Sequence, residues 1–264
     1  MRFFILHTND FHNKLTPEKA TRIKNLKLTL EARCLLLLDA GDAISAGNLN
    51  YHLQGEPILD LMGTCGYDAM TLGNREFHFT KTGLRCKIGR AKFPILCANL
   101  YPKDGSLAYS KPMDSYFVPS SGLPLQAAFV KTTPLNQKVL VIGLSVPMIT
   151  RRMASQHVSA YLFEQPLKVA QEIVPQLQAW ARPDLTIALT HIGISQDRML
   201  AKSVPTLDLI IGGHTHEVLT HGEWVGDTLI VQAGCYAKHV GYVEWDTDRD
   251  RGDKRRLTAW VETL

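Results

Sequence analysis

Uninterrupted apolar runs recur along the chain at Phe3–Leu6, Cys34–Leu38, Ala69–Leu72, Ile95–Ala98, Val139–Leu144, Leu185–Leu189, Leu209–Ile211 and Leu229–Gln232. Many of them lack polar alternation, which predicts strands covered on both faces. Stretches with helical spacing fall between several of these runs. In Pro17–Ala32, the apolar residues Ala20, Ile23, Leu26 and Leu30 keep that spacing, Thr16 supplies an N-cap and Pro17 occupies the first turn. Glu56–Cys65 starts with Pro57 and ends at Gly66, a left-handed C-cap. Glu164–Arg182 places Leu167, Ala170, Ile173, Val174, Leu177 and Trp180 on one face, and Pro175 should kink it by deleting one backbone donor. Gln196–Ser203 is a shorter helix.

Residues 101–126 break this rhythm. Pro, Gly, Ser and Tyr are dispersed there, and the stretch reads as a long loop with one edge strand around Tyr116–Val118. At the end of the chain, His239–Trp245 and Leu257–Thr263 alternate like an antiparallel hairpin. The mixed charge run Asp246–Arg256 between them reads as a solvated turn. Strands alternating with helices give an α/β protein. Without repeats or a linker, residues 1–264 are expected to form one domain.

Composition narrows the function classes. A chain of 264 residues can build one large core, and 45% apolar with 20% charged residues is ordinary for a soluble globular protein. The net charge of +4 is compatible with anionic substrates but too small to argue for a nucleic-acid binder. No run approaches the length of a membrane span. The opening residues carry one charge and a short apolar stretch, so they read as a core strand and not a signal peptide. Five scattered cysteines without a Cys-x-x-Cys spacing read as free thiols of a cytoplasmic protein, not as a zinc site.

The chemistry-bearing residues follow the strands. Leu209–Ile211 runs into Gly212-Gly213-His214-Thr215-His216, where alternation along an extended backbone would point both imidazoles to one side. The two glycines remove bulk where a metal or ligand must approach the backbone. Asp10-Phe11-His12 follows the first strand, Asp39-Ala40-Gly41-Asp42 the second, Gly73-Asn74-Arg75-Glu76 the third, and Thr190-His191 closes another. Each residue has a plain structural explanation: Asp10 or Asp42 as a helix cap, Asn74 as a turn residue, His191 as a satisfied core histidine. Asp39 needs no role beyond capping or hydrogen bonding. Jointly those explanations do poorly, because five strand ends each finish in a metal-capable group. In an α/β fold, strand ends of this kind converge on a crevice at the carboxyl edge of the sheet.

The ordered set Asp-x-His, Gly-Asp, Gly-Asn-x-Glu, Thr-His, Gly-His-Thr-His resembles the calcineurin-like metallophosphoesterases. Within them it is most similar to the catalytic domain of the 5′-nucleotidase and 2′,3′-cyclic phosphodiesterase group. Leu6-His7-Thr8-Asn9-Asp10, Gly66-Tyr67-Asp68-Ala69, Glu76-Phe77 and Gln232-Ala233-Gly234 agree with that group. The resemblance implies a four-layer α/β/β/α sandwich and two divalent ions. Asp10, His12, Asp42 and His216 would hold the first ion; Asp42, Asn74, His191 and His214 would hold the second, with Asp42 bridging. It further implies hydrolysis of a small phosphomonoester or phosphodiester, possible nucleotides included. Two cations roughly 3.5–4 Å apart clamp phosphate oxygens and activate a bridging water, which attacks phosphorus in line as hydroxide. Mixed Asp, Asn and His ligation suits manganese, iron or zinc without choosing among them.

Two departures follow from the same comparison. The family usually has a histidine after the Asn of the third motif, and the nucleotidase group an Asp three positions later; here these are Arg75 and His78. Arginine can bind phosphate oxygens beside Asn74 but does not titrate near neutral pH, so it cannot protonate a leaving group. Three outcomes are open. His78 acts as the acid, the substrate has a leaving group that needs little protonation, or the site binds phosphate without turning it over. Second, the group normally carries a C-terminal domain that sandwiches the base, and this chain is expected to be the catalytic domain alone. Tyr101, Tyr109, Tyr116 and Phe117 offer a partial substitute platform, although such residues more often pack down onto the domain. Arg151-Arg152 reads as a solvated pair. The competing readings are a nuclease of the same superfamily and a non-catalytic phosphate- or metal-dependent binding module.

Overall fold

The computed structural model describes residues 1–30, 33–103 and 123–264. In chain order its elements are β1 (Arg2–Thr8), α1 (Pro17–Leu30), β2 (Cys34–Asp39), α2 (Pro57–Cys65), β3 (Ala69–Thr71), α3 (Lys81–Ile88), β4 (Ile95–Leu96) and β5 (Leu100–Pro102). These are followed by β6 (Leu125–Gln126), β7 (Ala128–Thr132), β8 (Lys138–Ser145), β9 (Tyr161–Phe163), α4 (Pro166–Ala181), β10 (Leu185–His191) and α5 (Ile194–Ser203). The chain closes with β11 (Leu209–Ile211), β12 (Glu223–Val225), β13 (Thr228–Val231), β14 (His239–Asp246) and β15 (Leu257–Thr263).

Helical crossovers make the sheets mainly parallel. One sheet has the order β15-β14-β1-β2-β3-β4-β6, parallel from β1 to β6 with the β14–β15 hairpin added antiparallel at β1. The other has the order β12-β13-β11-β10-β8-β7, parallel from β13 to β8 with antiparallel edges. β5 and β9 form a separate antiparallel pair.

The two sheets pack face to face, with Phe3, Ile5 and Leu36 meeting Val141, Ile187 and Leu209 in one buried cluster. Their outer faces are covered by helices. Ile23 of α1 and Leu59 and Met62 of α2 lie on Leu6, Leu37 and Met70. Val169, Ile173 and Leu177 of α4 and Leu200 of α5 lie on Leu140, Ile142 and Ile210. This is the α/β/β/α sandwich, and burial on both faces explains why the strand sequences do not alternate.

Local signals hold in part. The Lys19 amide donates to Thr16 Oγ1 at 3.3 Å, α2 ends at Gly66 with φ +79°, and the C-terminal hairpin pairs as expected. α4 continues past Pro175 as one helix. Its last turn buries Ala181, leaving Trp180 at the edge of the stripe and 46% exposed. Helix α3 was not evident from apolar spacing, since its buried side includes Gly83 and Lys87 beside Leu84 and Ile88. The charge run 246–256 is more than a solvated turn. Arg251 and the buried Arg256 both reach Asp208, which also accepts the Thr186 amide at 2.7 Å. The expected edge strand at Tyr116–Val118, with Tyr109 and Phe117, lies outside the described residues, while Tyr101 sits in β5 against the cluster beneath α4 and α5. None of the five cysteines is joined in a disulfide. Among the described residues no helix is long and apolar enough to cross a membrane.

Candidate metal centre

The parallel strands deliver their carboxyl ends to one edge of the sandwich. β1 leads into Asp10 and His12, β2 into Asp42, β3 into Asn74, and β11 into His214 and His216, while His191 is the last residue of β10. All seven converge around an open cleft of about 460 Å³ whose walls also carry Lys14, Ser45, Arg75 and Tyr236.

The donors form two groups. In one, Asp10 Oδ1 lies 3.3 Å from His216 Nε2 and 3.7 Å from His12 Nε2, and the two nitrogens are 3.1 Å apart. In the other, His191 Nε2 lies 3.4 Å from Asp42 Oδ1, 3.2 Å from Asn74 Oδ1 and 3.3 Å from His214 Nδ1, which is 3.1 Å from Asn74 Oδ1. Donor atoms of Asp10, Asp42 and His191 all fall within 4.8 Å of one another, so the groups meet at the two carboxylates.

The donor chemistry fits divalent cations. Asp10 is fully buried, yet among the described residues its Oδ1 has no hydrogen-bond partner and faces two imidazole nitrogens. A buried carboxylate oxygen left this way calls for a cation. His191 Nδ1 sits 2.7 Å from the Ala40 carbonyl, so this nitrogen holds its proton and Nε2 is the one that can ligate once it is deprotonated. Burial lowers the pKa of His12 and His214, which favours the neutral, ligating form. Burial also opposes charge on His191 and Asp42, but their mutual attraction outweighs it. The Asp42 carboxyl is held below the usual range and His191 is pushed up to about 9. A positive charge on His191 thus offsets the Asp42 carboxylate in this buried pair.

The backbone is bent to make this arrangement. Asp10 (φ +53°), His12 (+46°), Asp42 (+56°), His214 (+79°) and His216 (+60°) are all left-handed, at a cost of order 1–3 kcal/mol each for residues other than glycine. Extended alternation therefore does not explain the His214/His216 pair. The surroundings impose the conformation. Asp10 N donates to Gly41 O at 2.9 Å and His12 N to Asp42 O at 3.0 Å, while Asp10 Oδ2 accepts from His214 N at 2.9 Å. The buried Glu76 carboxylate accepts the amides of Asp42 (3.0 Å), Ile44 (3.1 Å) and Gly73 (2.9 Å), joining two ligand loops. Burial, then the charge of Asp42, pushes its pKa up to about 7. A Cβ on Gly213 would lie 2.7 Å from the Ala40 carbonyl oxygen and 3.1 Å from Asp10 Oδ2 and His191 Nδ1, so that glycine is required by the close approach of a neighbouring loop and of two cluster side chains. Asp39 stays a hydrogen-bonding residue, accepting from Thr8 Oγ1 at 2.6 Å and Gly41 N at 2.9 Å.

Arg75 stands at the cluster: its amide donates to Asp42 Oδ1 at 2.8 Å and its Nε lies 4.0 Å from Asp42 Oδ2. His78 does not. It is 3% exposed, its Nδ1 accepts from the Thr80 amide and hydroxyl, and its ring stacks on Phe79 with centroids 4.7 Å apart. A hydrogen-bonded, stacked imidazole away from the cleft lining is poorly placed to act as an acid. Arg151 and Arg152 line a different surface hollow, with Arg151 Nε 3.7 Å from Glu164. Tyr236 was not singled out from sequence, although it follows Gln232-Ala233-Gly234 by two positions. Its ring lies 5.5 Å from the His12 ring and 5.6 Å from the His216 ring, on a left-handed backbone (φ +60°).

The family model for calcineurin-like phosphoesterases matches residues 4–218. The chain belongs to that family. Among curated relatives of this calcineurin-like phosphoesterase, the trifunctional nucleotide phosphoesterase protein YfkN of Bacillus subtilis is 31% identical over 263 residues, covering 91% of this chain and 18% of YfkN. The 5′-nucleotidase of Vibrio cholerae is 30% identical over 283 residues, covering 92% of this chain and 48% of that protein. The chain thus spans half or less of the length of these relatives. A 5′-nucleotidase precursor from Thermus thermophilus shares the fold with a TM-score of 0.72 at 24% identity, over 100% of this chain and 54% of that one.

Proposed function

We propose that this chain is a dinuclear metal-dependent phosphoesterase hydrolysing a small phosphomonoester or phosphodiester, nucleotides included. Asp10, His12, Asp42 and His216 are assigned to one ion and Asp42, Asn74, His191 and His214 to the other. The observation that supports this is the pair of donor groups brought together by Asp10 and Asp42, with a buried Asp10 oxygen that has no hydrogen-bond partner among the described residues. Bound divalent ions would supply positive charge to the phosphoryl oxygens and lower the pKa of a water for in-line attack. Manganese is the ion proposed, within a set of manganese, iron and zinc that these donors suit.

The protein's own contribution is positioning and charge. Arg75 offers a planar, permanently charged fork to anionic oxygens at the cleft. With His78 turned into the fold, the residues lining the cleft favour esters whose leaving group departs with little protonation. Free thiols support a cytoplasmic location, and one catalytic domain over residues 1–264 accounts for the described core.

Metal analysis of the purified chain, followed by assays of p-nitrophenyl phosphate and bis-p-nitrophenyl phosphate with added Mn²⁺, tests the proposal. Two ions per chain and turnover are expected, both lost in Asp42→Asn. An Asp42→Asn protein with native metal content and native kcat overturns it. Two ions and phosphate binding without hydrolysis would favour the second reading, a binding module, for which Arg75 is the motivating residue.

A further inference from the structure

Lys87 lies on α3 with no exposed surface, and its ammonium is used in full. Nζ donates to the carbonyls of Arg75 at 2.6 Å, Gly47 at 2.9 Å and Phe77 at 3.1 Å, three acceptors for three N–H bonds. Arg75 and Phe77 belong to the turn that delivers Asn74 to the cluster. Gly47 belongs to the loop that leaves Asp42 and passes Ser45 along the cleft wall. Residue 75 is thereby held on both sides of its backbone, its amide on Asp42 Oδ1 and its carbonyl on Lys87. The charged groups facing Lys87 are Glu76, Glu56, Asp42, Arg75 and His78. Burial pushes the Lys87 pKa down to about 8, which leaves it mostly charged at neutral pH.

We propose that Lys87 is a positioning residue, whose buried ammonium sets where Asn74 Oδ1 and the Arg75 guanidinium stand at the metal cluster by tying their turn to the cleft-wall loop. An apolar side chain of the same length would fill the space but leave three carbonyls without a donor. The turn would then relax away from the cluster, carrying one ligand of the second ion and the phosphate-facing cation with it. The proposal rests on the metal assignment above.

The test uses the full chain with Mn²⁺ as the probe. Calorimetric titration of the native protein is expected to show two ions. In Lys87→Met the first ion binds as before. The second weakens by about tenfold or more, the loss usual for groups that orient a ligand, and KM for p-nitrophenyl phosphate rises more than kcat falls. Arg75→Ala should cost less in the Lys87→Met background than in the native one, because the two changes share a mechanism. Lys87→Arg, which keeps the charge, should recover part of the second-ion affinity. Should Lys87→Met not fold, Lys87→Gln, with two N–H donors, carries the same titration with a smaller loss expected. A variant that melts earlier yet binds both ions with native affinity and keeps the native KM makes Lys87 a core staple only and overturns the proposal. A native chain that binds no Mn²⁺ overturns the metal assignment first, and this inference with it.

Discussion

His7 makes the fold acid-sensitive in a way that can be calculated. The residue is 1% exposed in β1, neither ring nitrogen has a hydrogen-bond partner among the described residues, and the ring lies so close to Gly241 that a Cβ there would sit 2.0 Å from Nε2. Burial pushes its pKa from 6.5 down to about 3, so the folded protein holds it neutral while the unfolded chain protonates it below 6.5. The folded pKa is depressed, so the stabilisation is complete above pH 6.5 and is lost as pH falls from 6.5 towards 3. The full linkage is about 5 kcal/mol, of which about 2 kcal/mol disappears between pH 7.5 and pH 5. That loss should lower Tm by about 4–8 °C for a chain of this size. The assay is urea unfolding at both pH values in chelator, comparing the native chain with His7→Leu, which cannot titrate. The native-minus-variant difference should widen by about 2 kcal/mol at the lower pH. His7→Leu should also be the more stable at pH 7.5, by about 1–3 kcal/mol, because it removes two unpaired buried polar atoms. A difference that stays constant from pH 7.5 to pH 5 refutes the claim that this imidazole is buried and unpaired.

Metal binding should release a proton. His191 has a pKa of about 9 without metal and must be neutral to ligate, so apparent affinity should rise about tenfold per pH unit up to roughly pH 9. Titration calorimetry in buffers of different ionisation enthalpy reads this directly, and pH-independent affinity contradicts the His191 assignment. Rates on esters of graded leaving-group pKa should fall steeply in the native chain. Arg75→His should flatten that dependence, speeding the poorest leaving groups by about 10²-fold. A flat native profile unchanged by Arg75→His removes the argument from Arg75.

The core strands were legible because burial on both faces leaves an apolar run whatever the neighbouring strand is, and the strand ends carried their donors with them. α3 escaped notice because its buried side holds Gly83 and Lys87, whose place depends on a turn five or more residues upstream. The surroundings of His78 were illegible for a related reason. Its position in the motif says nothing of the Thr80 and Phe79 contacts that turn it into the fold.

The sequence by itself determined the apolar strands, the α/β class and the metal-capable groups at the strand ends, local properties that survive without coordinates; the sandwich and the assignment of seven donors to two ions were what the resemblance to the calcineurin-like metallophosphoesterases implied. Tertiary structure decided the rest. Left-handed backbones at Asp10, His12, Asp42, His214 and His216 are each unfavourable locally and persist because loops from both sheets hydrogen-bond across to one another. The Glu76 carboxylate, the Lys87 ammonium and the Tyr236 ring likewise acquire their roles from residues far away in the chain. Periodicity and spacing record which side chains leave a strand end; only long-range contacts fix where they point.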